Sequence, residues 1–107
     1  MNMRTKSEYI AVKKRVITLP ECDEMLLEEF AYIAKDSLKQ AEIFVGQFEE
    51  TLERIGQMPK LGVKYKNGMR KIKLGKFRYY IYYREREDLI EVLGIWHTSR
   101  GTQFMAV

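Results

Sequence analysis

Apolar positions along this chain change period twice. Residues 9–19 (YIAVKKRVITL) are rich in Val and Ile around a basic triplet and predict a first strand. From residue 20 to residue 56 the apolar positions recur every three or four residues, the helical spacing. From residue 68 to residue 100 β-branched and aromatic residues alternate with cations. Lys71-Ile72-Lys73-Leu74 and Arg78-Tyr79-Tyr80-Ile81-Tyr82-Tyr83-Arg84 are the clearest cases. Successive side chains on a strand point to opposite faces, so this alternation gives one face to a core and the other to a basic surface.

Punctuation divides these stretches into elements. Thr18 with Glu21 three residues on reads as a capping box, with Pro20 tolerated in the first turn of a helix reaching about Lys35. That helix is expected to bury Met25 or Leu26, Phe30 and Ile33. Ser37 with Gln40 repeats the signal for a second helix, whose Ala41, Phe44, Val45, Phe48, Leu52 and Ile55 form one apolar stripe. Glu42, Glu49, Glu50 and Glu53 take its other face, and Gly56 and Pro59 end it. Asn67-Gly68 marks a turn, Gly75-Lys76 a hairpin, and residues 85–88 a second, polar hairpin. The order is β-α-α-β-β-β. The expected fold is α+β, an antiparallel sheet with two helices packed on one face and an open basic face. Phe77, Tyr79, Ile81 and Tyr83 are expected in the core, with Tyr80 and Tyr82 on the open face.

At 107 residues the chain is expected to be one domain, 1–107, with residues 1–7 and 101–107 as short tails and a core that needs no metal or disulfide. No metal site and no cofactor are expected. Cys22, the only cysteine, has no motif around it and reads as incidental. No signal-peptide pattern opens the sequence and no apolar run approaches a membrane span, so a cytoplasmic protein without membrane contact is expected.

The net charge of +4 conceals an asymmetry. Residues 1–18 carry +4, residues 19–58 carry −7 and residues 59–107 carry +7. The helical segment is acidic and the strands are basic, which points the sheet towards a polyanion or an acidic protein segment.

The strand sequences carry a family resemblance. Residues 68–74 (GMRKIKL), Phe77-Arg78-Tyr79-Tyr80-Ile81-Tyr82-Tyr83 and Ile95-Trp96-His97-Thr98-Ser99-Arg100, in the order β-α-α-β-β-β, resemble the RelE/ParE superfamily. These are the toxins of bacterial type II toxin–antitoxin systems. The resemblance spans residues 9–100 and includes the helix ending Leu52-x-x-Ile55-x-x-x-Pro59. It implies a growth-inhibiting toxin held in a hetero-oligomer by a cognate antitoxin. ParE-like members poison DNA gyrase, whereas RelE-like members cleave mRNA on the ribosome.

Each mechanism assigns roles to the same cations. In the ribonuclease reading Lys71 and Lys73 match a Lys-x-Lys pair on one strand face. Arg78 would stabilise the phosphorane, and His97, Tyr80 or Tyr82 would serve as acid or stack on a base. The departure lies at the C-terminus, where residues 101–107 are too short for the basic, tyrosine-bearing helix of RelE-like nucleases. The ParE-like reading is therefore preferred. There Arg70, Tyr80, Tyr82, Arg84 and Arg100 bind the target or nucleic acid alongside the lysines, and no bond is cleaved. A non-toxic nucleic-acid-binding module is the third reading.

Overall fold

The computed structural model of the chain describes residues 13–98. Within them β1 (Arg15–Thr18) leads into α1 (Pro20–Ala34) and α2 (Leu38–Gln57). A two-residue strand β2 (Val63–Lys64) then precedes β3 (Met69–Lys73), β4 (Tyr79–Glu85) and β5 (Leu89–His97). The five strands form one sheet in the order β1-β5-β4-β3-β2. The α+β fold with two helices on one face is as expected.

Two features refine the sheet. It is mixed rather than wholly antiparallel, because β1 lies parallel to β5, Arg15 opposite Leu89 and Thr18 opposite Val92. Hairpin turns fix the direction of consecutive strands only, and β1 is separated from β5 by the rest of the fold. The second feature is β2, which pairs Val63 with Lys71 and Lys64 with Arg70. Asn67 and Gly68 both adopt positive φ, 62° and 74°, and turn the chain from β2 into β3.

The helix starts follow local chemistry. Ser37 caps α2, its hydroxyl accepting from the Gln40 N–H at 3.1 Å. At α1 the expected Thr18 cap does not form. Pro20 holds Leu19 extended (φ −74°, ψ 155°), so Leu19 becomes the cap and its carbonyl accepts from the Cys22 and Asp23 amides. Thr18 remains in β1 and donates instead to the Asp23 carboxylate at 2.7 Å.

The core lies between the helices and one sheet face. Cys22, Phe44, Phe48 and Ile55 meet Leu74, Tyr79, Ile81, Tyr83, Ile90, Val92 and Ile95, all buried. Met25, Leu26 and Ile33 pack at its margin. A bulge beside Leu93 lets both Val92 and Ile95, three residues apart, face that core: Tyr83 opposes Val92, and Tyr82 opposes Gly94.

Candidate interface on the outer sheet face

The opposite face of the sheet is where alternation placed the cations, and register now sets their neighbours. Met69 pairs with Arg84, Lys71 with Tyr82, and Lys73 with Tyr80, while Tyr80 and Tyr82 in turn oppose Trp96 and Gly94 on β5. Paired residues share a face. The result is an aromatic patch studded with cations.

Its centre is packed rather than open. Met69 and Tyr82 are only 4 % and 3 % exposed, with Tyr65, Tyr80, Leu93 and Trp96 packed around them. The Tyr82 ring makes edge contacts with Tyr65 and Trp96 at 5.3 Å each and lies 6.4 Å from Tyr80. Trp96 folds back over Gly94, where a Cβ would lie 2.5 Å from the indole. Only glycine leaves that space. Burial, followed by the nearby Tyr65 and Tyr80 hydroxyls, pushes the Tyr82 phenol above its ordinary range, so it stays a neutral donor.

Lys71 sits over this patch. Its ammonium is 4.8 Å from the Tyr80 ring centre and 5.1 Å from that of Tyr65, within cation–π range of both. Lys66 approaches Tyr65 from the turn at 5.8 Å. Lys73 is exposed at the end of β3. Arg84 completes the arrangement, with its Nε buried and lacking a hydrogen-bond partner among the described residues. The carboxylate opposite it, Glu91, accepts from Arg86 Nε at 3.0 Å. A buried donor left without a partner is disfavoured unless something outside the fold satisfies it.

Other expected site residues lie elsewhere. Arg70 points to the helix side of β3, where its guanidinium donates to the Gly62 carbonyl at 2.8 Å and holds the loop before β2. Arg78 is the last residue of the turn before β4 and not a strand residue. It lines a cleft on the helix side. His97 opposes Tyr79, so it also faces that side, its ring edge-on to Tyr79 at 5.0 Å. Lys71 and Lys73 therefore share a face with Tyr80, Tyr82 and Arg84, and His97 is behind the sheet. Arg100 lies outside the described residues.

Sequence reasoning missed two contributors. Tyr65 precedes the Asn67-Gly68 turn, and its ring becomes visible as part of the patch only once β2 is known. Glu29 is 8 % exposed and accepts from the Tyr79 hydroxyl at 2.5 Å. Its signal was available: position 29 lies on the buried stripe of α1 between Leu26 and Ile33, and a core tyrosine needs an acceptor. No group of three or more His, Cys, Asp or Glu arranged to hold a metal occurs among the described residues.

Comparison with known proteins places this geometry in context. A family model described as the ParE toxin of the type II toxin–antitoxin system parDE matches residues 16–101. A solved structure described as the chromosomal ParDE TA system from P. aeruginosa superposes with a TM-score of 0.69 at 16 % identity, covering 79 % of this chain and 96 % of that one. At that identity the likeness is one of fold. No curated protein matches the chain.

Proposed function

The chain belongs to the ParE toxin family of type II toxin–antitoxin systems, and on that premise we propose that it arrests growth by engaging DNA gyrase through its outer sheet face. A cognate antitoxin neutralises it in a hetero-oligomer by covering the same face. The observation that carries the reading is the cluster of Lys71, Lys73 and Arg84 around the buried Tyr82 and Met69. Aromatic residues and arginine are the side chains that dominate protein interfaces, and a rim of cations steers an acidic partner. Arg84, whose Nε lacks a hydrogen-bond partner among the described residues, is the side chain whose guanidinium a bound carboxylate or backbone carbonyl would engage.

Ribosome-dependent mRNA cleavage is less well supported. It needs a base and an acid flanking one phosphate, and His97 lies behind the sheet from Lys71 and Lys73. Lys71 is held over two tyrosine rings, so its amine end is engaged in the aromatic patch. In bacteria induced to make this chain, plasmid topology and a primer-extension map of transcripts separate the two readings. Relaxed plasmids with intact transcripts are expected. Cuts within translated codons with normal supercoiling would replace gyrase by the ribosome.

A further inference from the structure

A concavity lies on the helix side of the sheet, away from Lys71. A cleft of about 420 Å3 opens where the junction between α1 and α2 meets the turn between β3 and β4. That volume falls in the range of small-molecule sites. Three kinds of group converge on it. Ile33, Phe77 and Tyr79 make an apolar, largely aromatic wall, with Tyr32 at its edge. Lys76 and Arg78 project from the turn, and neither makes an ion pair or side-chain hydrogen bond among the described residues. Asp36 and Gln40 supply an acceptor and an amide on the opposite side.

We infer that this cleft binds a mononucleotide, with the base against Tyr32 and Phe77 and the phosphate held by Lys76 and Arg78. Stacking on aromatic rings is available to any base, and a guanidinium grips phosphate through paired hydrogen bonds. The first turn of α2, a 20-residue helix, begins on the Asp36–Gln40 side of the cleft and sets a partial positive charge there. Asp36 is placed to accept from ribose hydroxyls, a role that leaves its charge away from the phosphate. An acidic peptide side chain would satisfy the cations but leave the aromatic wall empty. A bare anion would do the same. A ligand that is aromatic and anionic at once matches both parts of the lining, and this site stands apart from gyrase engagement.

The test titrates the full chain with 5′-AMP while following backbone amides by NMR, with adenosine and inorganic phosphate as half-probes. Saturable shifts at residues 36–40, 76–79 and 97 are expected, with AMP bound at least about tenfold more tightly than either half-probe. Arg78→Ala and Lys76→Ala, both at exposed turn positions, are each expected to weaken AMP binding by about tenfold. Lys64→Ala, on the far edge strand, is expected to leave it unchanged. Overturning results are an absence of shifts at millimolar AMP, shifts confined to the outer face, or equal affinity for AMP and phosphate. Neither gyrase nor antitoxin enters the measurement, so its failure would leave the reading of the outer face untouched.

Discussion

The hydroxyl of Tyr83 fastens a loop to the core. It accepts from the Gly62 N–H and donates to the Pro59 carbonyl, both at 2.8 Å, beside the Arg70 guanidinium that donates to Gly62 O. Gly62 tolerates no Cβ there, because one would lie 2.8 Å from both the Lys71 carbonyl and the Tyr83 hydroxyl. Tyr83→Phe keeps the ring and strands the buried Gly62 N–H and the partly buried Pro59 carbonyl, so a loss of about 1–3 kcal/mol in urea denaturation is expected. Cys22 offers a second test at this scale. Burial, then the Asp23 charge, pushes its thiol from 9.0 up to about 12. The folded state therefore holds this proton more tightly than the unfolded chain does. The stabilisation is complete below pH 9 and drains as pH rises from 9 towards 12. Two outcomes are expected: no reaction with a thiol reagent at pH 8 unless the protein is unfolded, and a flatter alkaline stability profile for Cys22→Ala.

At the scale of elements, α2 is the best-determined part of the fold. Its cap can be tested alone, since Ser37→Ala removes one hydrogen bond and no packing. A loss of about 1 kcal/mol is expected in thermal or denaturant unfolding. The helix was legible because one stripe of Ala41, Phe44, Phe48 and Ile55 satisfies a single period, and all four are buried. The central strands were legible for the same reason: Tyr79, Ile81 and Tyr83 face the core while Tyr80 and Tyr82 face away. What alternation does not encode is pairing between elements distant in sequence. The parallel placement of β1, the short β2 and the bulge at Leu93 all depend on such pairing. The candidate site suffered accordingly. Lys71, Lys73, Tyr80, Tyr82 and Arg84 share a face as their spacing demanded. His97 is on the other face because it is paired with Tyr79, and Arg78 falls in a four-residue turn longer than Gly75-Lys76 suggested. Strict period-two counting would already have set Arg70 apart from Lys71.

Across the whole molecule, charge and layer coincide. The acidic segment folds as the helical layer and the basic segment as the sheet, whose outer face carries a packed aromatic centre with cations around it. That arrangement combines two kinds of recognition in one surface: apolar area at the middle for affinity, and charge at the rim for steering. The central claim is that this face engages gyrase. Its most direct test is a supercoiling assay with purified gyrase, comparing the native chain with Lys73→Glu and Arg84→Ala proteins shown to be folded by circular dichroism. The account predicts inhibition by the native chain and at least about a tenfold rise in the concentration needed by each variant, as expected for the loss of 1.4 kcal/mol or more at an interface. Inhibition undiminished in both folded variants, or none from the native chain at any concentration, would contradict it.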